Sequence, residues 1–131
     1  TDKKISNNIT VLQSGTELFK AMGIESTIEL ISAEQIKADW AAFRGVPQEL
    51  ELPSAPKQFL HYFEEPDRPQ TRLDRDTEGG MAICLGRLRE DPVMDYKFVC
   101  LSHNTLRGAA GGGVLSAEYL CKLGYIPHKA F

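Results

Sequence analysis

Hydrophobic positions in the chain fall into short runs separated by polar stretches, and their period changes along the sequence. In residues 5–14 they gather at Ile9, Val11 and Leu12, leaning toward a strand that ends at Gly15. Residues 24–31 mix polar and β-branched side chains, the pattern of a half-buried strand. The period then lengthens. Ile36, Trp40 and Phe43 lie at i, i+4 and i+7, and Ser32 and Gln35 have capping-box spacing. Gly45 and Pro47 supply a stop, so a helix is predicted over 33–44.

The proline-rich run 47–56 predicts an extended loop, and residues 57–63 a strand. Residues 64–80 hold almost nothing apolar beyond Leu73; the pattern fits a solvated loop or a charged arm that docks on a partner subunit. Met81, Ile83 and Leu85 alternate in a strand over 81–88. A turn around Asp91-Pro92 leads to another strand over 96–101. Ser102, Asn104 and Thr105 are N-capping types and open a helix that runs to about residue 123. Leu106, Ala110, Val114, Ala117 and Cys121 line one face of that helix, and Gly124 is placed as its C′ stop. Sequential strands with few intervening helices predict an α+β fold, a mostly antiparallel sheet with helices on one face.

At 131 residues the chain has room for one domain, and 42% hydrophobic with 25% charged residues is an ordinary globular balance. Lys and Arg total 15 against 18 Asp and Glu, a net charge of -3, which gives no support to the broad basic surface of a duplex-binding domain, and no nucleic-acid partner is expected. No apolar run approaches the roughly 20 residues that span a bilayer, so no membrane partner is expected. The three cysteines form no CxxC pair. That predicts reduced thiols in a cytoplasmic setting, with neither a disulfide framework nor a metal cluster. The chain starts with Thr and opens directly into a candidate strand, so a fragment, a processed product or a trimmed form of a longer protein is expected.

Residues 101–120 are the most unusual stretch. Glycines at 111, 112 and 113 inside a helix cost roughly 2–3 kcal/mol relative to alanine, and something must offset that. Their small size, with Gly108, Ala109 and Ala110, allows close approach of a ligand or another backbone. The helix start could face an anion or a nucleotide, or the small residues could serve tight packing against a sheet. Of the histidines, His61 and His128 read as packing or surface residues, and His103 as either a cap neighbour or a site residue. No cysteine has a base at a local spacing that marks a nucleophile, and Cys84 and Cys100 read as small core residues.

Four motifs occur in register. They are Pro53-Ser-Ala-Pro56, Arg68-Pro-Gln-x-Arg-Leu-Asp-Arg-Asp76, Gly80-Met-Ala-x-x-x-Gly-Arg-x-Arg89 and Leu101-Ser-His-Asn-Thr-x-Arg-Gly-Ala-Ala-Gly111. Over about residues 40–123 the chain resembles the C-terminal part of aspartate-semialdehyde dehydrogenase, in the subclass typical of archaea and fungi. Malonyl-CoA reductases of the archaeal type share much of this pattern.

The resemblance implies NADPH-dependent reduction of aspartyl phosphate to aspartate semialdehyde, a step of amino-acid biosynthesis. In the family a Cys thiolate attacks the acyl phosphate, hydride reduces the resulting thioester, a His acts as acid and base, and an Arg holds the substrate carboxylate. The nucleophile's Ser-Asn-Cys-Thr motif and the glycine-rich nucleotide-binding turn are absent here. Asn8 and Gly15 stand where the family has its Arg and His. No catalytic residue is therefore assigned, and the chain alone is expected to be inactive. The segment that carries over is Asn104-Thr105-x-Arg107-Gly108, which in the family lies against the NADP cofactor near its nicotinamide end; Asn104, Thr105 and Gly108 are the implied cofactor-binding residues. The resemblance further implies that residues 1–101 are a partial dimerisation and catalytic domain, divergent over 1–30. Residues 102–131 would be a helix and tail that belong with a cofactor-binding domain. The implied partner is a second copy, in a dimer or tetramer, or a full-length homologue. A second reading is a non-catalytic paralogue that keeps the dimerisation surface as an interaction module.

Overall fold

The computed structural model describes residues 31–127, and every element described belongs to the unit that begins at Ser32. The predicted strand over 5–14, all but Ile31 of the one over 24–31, and Asn8, Gly15 and His128 lie outside the described residues.

Helix α1 spans Ala33–Ala42. The Ser32 hydroxyl accepts a hydrogen bond from Gln35 N at 3.2 Å, the N-cap its spacing predicts. Gln35 Nε2 donates to Asp39 Oδ1 one turn on. The helix stops two residues short of the expected end, where Phe43 turns extended and its N–H closes on Trp40 O. A one-turn helix α2, Val46–Glu49, follows and replaces the start of the predicted extended loop. Proline is compatible with a first helical turn, and Gln48 secures this one from within. Its Oε1 accepts from Gly45 N and its Nε2 donates to Pro56 O, so a buried amide is satisfied at both ends.

Strands β1 (Leu60–Phe63), β2 (Ile83–Asp91) and β3 (Asp95–Ser102) form a sheet in the order β1-β2-β3. The α+β class agrees with the sequence reading, and the sheet is mixed. β2 and β3 are an antiparallel hairpin, with Asp91 Oδ1 accepting from Val93 N and Met94 N in its turn. β1 pairs with β2 in parallel, Leu60 opposite Ile83. A parallel pair needs a long crossover, and residues 64–82 provide it. That stretch contains the single helical turn α3 (Thr71–Asp74) and a 3-10 turn (Thr77–Gly80).

The crossover is exposed along most of its length, as a solvated loop would be, but Pro69, Asp74 and Gly80 anchor it from within. Arg68 forms an ion pair with Asp74, whose side chain is 1% exposed as a residue and also accepts from Gln70 N at 2.7 Å. The Arg68 guanidinium lies 4.0 Å from the centroid of the Phe63 ring. Cys84 Sγ donates to Asp74 O, and Gly86 lets the Arg68-Pro69 backbone approach so closely that an added Cβ would stand 2.5 Å from Arg68 O. The crossover thus packs on the sheet face of Phe63, Cys84 and Gly86. Trp40 of α1 packs on the opposite face, against Tyr62 and Phe98.

The chain leaves β3 through a π-helical turn, Leu106–Ala110, and continues as α4, Gly111–Lys122. Gly124, at φ +81°, terminates α4 as predicted. Of the face read from the sequence, Ala110, Val114, Ala117 and Cys121 stay together on the outer side, while Leu106 turns toward the core. Leu115 is the buried residue of α4; it joins Leu52 and Met81 in the core, with Leu106 and Tyr119 packed beside them, while Val114 is 53% exposed. The π turn supplies the reason. Bonds from Gly108 N to His103 O and from Ala110 N to Thr105 O span five residues, so one extra residue enters before α4 starts. The inward series runs 106, 111, 115, 119, so Leu106 is out of phase with 110, 114 and 117.

Candidate functional site

The residues singled out from the sequence converge on the junction between β3 and α4. Asn104, Thr105 and Gly108 all sit on one exposed turn. Gly108 is open, since an added Cβ would meet only His103 O, at 3.7 Å. The turn therefore offers a carboxamide, a hydroxyl and a stretch of bare backbone side by side. The carboxamide can both donate and accept, which suits an amide-bearing or nucleotide ligand.

The cap of this turn differs from the one expected. Among Ser102, Asn104 and Thr105 none supplies it; His103 Nδ1 accepts from Leu106 N at 3.1 Å. Histidine lies outside the usual capping set, which is why spacing arguments pass over it. Gly80, at φ +78°, forms the floor, with a Cβ there standing 2.7 Å from Leu106 Cδ1. Arg107 extends away from the turn and lies over the Phe59 ring at 5.0 Å. Beside it, clefts of about 160 Å³ and 310 Å³ share Pro47, Arg107 and Leu115 in their walls.

The glycine run divides into separate roles. A Cβ on Gly111 would stand 2.5 Å from Met81 Sδ and 2.8 Å from Leu106 O, so this glycine permits the close approach of helix to core. A Cβ on Gly112 would stand 2.8 Å from Arg107 O, within the wide turn. Gly113 faces open space.

The three thiols differ in burial. Cys84 is buried, as expected, and burial pushes its thiol up. Cys100 was expected in the core and is exposed, on β3, one of the two edge strands of the described sheet. Among the described residues no cysteine hydrogen-bonds a histidine, and no cluster of His, Cys, Asp or Glu could hold a metal. His61 bonds the backbone at Gln58 O, a packing role in keeping with its sequence reading. No described helix is long and apolar enough to cross a membrane.

Comparison with known proteins places this geometry in a family. The family model described as semialdehyde dehydrogenase, dimerisation domain, matches residues 20–107, more than half of the chain. The chain is 52% identical over 89 residues to the aspartate-semialdehyde dehydrogenase of Saccharomyces cerevisiae, covering 68% of this chain and 24% of that protein. It is 40% identical over 124 residues to the Archaeoglobus fulgidus enzyme of that name, covering 92% and 34%. A malonyl CoA reductase (NADP) from Metallosphaera sedula matches at 46% over 90 residues, covering 67% and 25%. The aspartate semialdehyde dehydrogenase of Candida albicans, solved with NADP, superposes with a TM-score of 0.70 at 43% identity over 77% of this chain and 28% of that one. The chain belongs to the semialdehyde dehydrogenase family, in its dimerisation domain. It spans about a quarter to a third of the length of these relatives.

Proposed function

We propose that the chain is part of an NADP-dependent aspartate-semialdehyde dehydrogenase, reducing aspartyl phosphate to aspartate semialdehyde in amino-acid biosynthesis in the cytoplasm, and that by itself it is inactive. The observation that carries this reading is the exposed Asn104–Gly108 turn within a chain about half identical to such enzymes. Residues 1–101 are assigned to a dimerisation and catalytic domain, and residues 102–131 to a helix that returns to a cofactor-binding domain. The outward apolar series Ala110, Val114, Ala117 and Cys121 supports that assignment. Val114, Ala117 and Cys121 border a groove of about 740 Å³ with Leu50, Leu52 and Pro53. A second copy of the chain, in a dimer or tetramer, is the natural partner of a dimerisation domain.

The described residues fit one edge of NADP. Asn104 and Thr105 are exposed and polar, and Gly108 leaves room for a ring or an amide to lie on the backbone. When bound, the cofactor would supply the hydride. The turn's task is to orient the nicotinamide end, with the Asn104 carboxamide hydrogen-bonding its amide. Thr105 and Gly108 complete that edge.

The test is Asn104→Asp in a full-length homologue with the same Ser-His-Asn-Thr sequence, since aspartate keeps the polar shape but has no N–H to donate when ionised. NADPH affinity should fall while the melting temperature barely moves. Unchanged affinity would remove Asn104 from the site. The isolated chain, given aspartate semialdehyde, phosphate and NADP, should show no absorbance from reduced cofactor. Turnover lost on replacing one cysteine, and only that one, would overturn the inactivity. The malonyl CoA reductase match favours a second reading within the same class. Malonyl-CoA offered in place of aspartyl phosphate to a full-length protein containing this sequence separates the two.

A further inference from the structure

The proposed cofactor turn is held in place by His103, which the sequence leaves as either a cap neighbour or a site residue. We infer that His103 is its positioning residue: ring and carbonyl together hold residues 104–108 so that Asn104, Thr105 and Gly108 face a nicotinamide nucleotide. This rests on the reading of that turn as a cofactor contact.

β3 ends at Ser102, and by Thr105 the backbone is already helical, at φ -79° and ψ -44°. The reversal is therefore made within very few residues, and the first amides of the new helix have no carbonyl behind them. His103 serves two positions on the turn. Its Nδ1 accepts from Leu106 N at 3.1 Å, and its carbonyl accepts from Gly108 N at 3.0 Å. The second bond is one of the five-residue spans that make the turn wide rather than α-helical. Bonds at 106 and 108 bracket the exposed segment from beneath and leave its outer surface free.

The ring is itself held. Its Cδ2 would stand 3.3 Å from a Cβ on Gly80, so the bare Gly80 backbone forms the floor under both the imidazole and Leu106. An acceptor at Nδ1 places the proton of the neutral ring on Nε2, which faces Asp76 Oδ1 at 3.9 Å. None of these contacts involves the outward surface of the turn, so His103 acts through the backbone and does not touch the nucleotide.

A turn that has lost its cap spends part of its time in other conformations, and the apparent dissociation constant rises in inverse proportion to the competent fraction. A helix cap contributes about 1 kcal/mol, equivalent to roughly a fivefold change. Three variants of the full-length homologue described above provide the test: His103→Leu, which removes the acceptor; His103→Asn, which restores a short one suited to a cap; and Asn104→Asp. NADPH dissociation constants and melting temperatures are measured on each, with amide exchange at Leu106 and Gly108 followed in this chain. We expect His103→Leu to weaken NADPH binding by up to about fivefold and to speed exchange at both amides about fivefold, with His103→Asn close to the parent on both readouts. If His103→Leu binds NADPH like the parent while Asn104→Asp does not, the positioning role is overturned and the cofactor reading stands. If Asn104→Asp also binds normally, the cofactor reading itself falls. Equal losses in His103→Asn and His103→Leu would mean the ring contacts the nucleotide directly, which also overturns positioning. Should His103→Leu fail to fold, His103→Gln replaces it, because glutamine is a poor cap at this position.

Discussion

The crossover between β1 and β2 and the outward face of α4 are opposites in composition, and each ends up where composition alone would not put it. Residues 64–80 are almost wholly polar, yet they carry the most deeply buried carboxylate described, Asp74. The Ala110-Val114-Ala117-Cys121 series is apolar and mostly faces out. Burial is decided by whether a group finds its partners within this chain. Asp74 has Arg68 and Gln70 N, and so is satisfied inside. Along the outer face of α4, Val114 stays exposed while Ala117 and Cys121 border the groove with Leu50, Leu52 and Pro53.

The strongest way to break this contrast is to remove the acceptor inside the crossover. Asp74→Ala strands Gln70 N and frees Arg68 from its partner, and should cost roughly 2–3 kcal/mol in a denaturant melt. A loss near zero would show the crossover to be held by packing alone. The same pair sets an acid limit. The hydrogen bond from Arg68, assisted by the Gln70 amide, holds the Asp74 carboxyl below its ordinary value of 3.8 despite burial. Because the folded value is the lower one, this stabilisation is complete above about pH 4 and is lost as pH falls through the folded value. Asp91, lowered by Lys97 and the amides of its turn, adds to the same acid limb. Asp74→Asn should flatten the fall in melting temperature below pH 4, and an unchanged slope would remove Asp74 as its source.

On the α4 side the glycines sharpen the contrast. Gly111→Ala pushes a methyl toward Met81 Sδ and the Leu106 carbonyl and should destabilise by about 1–3 kcal/mol. Glu118→Ala tests the tie between this helix and the proline-rich segment. Its carboxylate accepts from both Ser54 N and Ser54 Oγ, and its loss should cost about 1–2 kcal/mol. Gly113→Ala adds a methyl in open space within a helix and should stabilise by about 0.5–1 kcal/mol. Thermal melts rank the three; a Gly113→Ala loss as large as that of Gly111→Ala would mean the outer face is covered. The smallest expected effect on stability is that of Val114→Lys, within about 0.5 kcal/mol, with self-association reduced in light scattering if copies meet through this face.

Local signals in the sequence translated directly into structure. Ser32 caps α1 on Gln35, Gly124 ends α4, and alternation at Ile83 and Leu85 marks β2, because caps, stops and strand alternation depend on residues a few positions apart. The placing of Asn104, Thr105 and Gly108 on one turn was also legible, since they lie within five residues of each other. Three features were decided by the tertiary structure. The parallel pairing of β1 with β2 depends on the path of a crossover that carries no long helix to announce it. The burial of Asp74 depends on where Arg68 lies after that crossover folds. The inward face of α4 depends on one extra residue in a π turn, which leaves composition and spacing unchanged while rotating Leu115 into the core and Val114 out to solvent. Each turns on contacts between segments distant in sequence or on a helical phase, and a periodicity read along one segment contains neither.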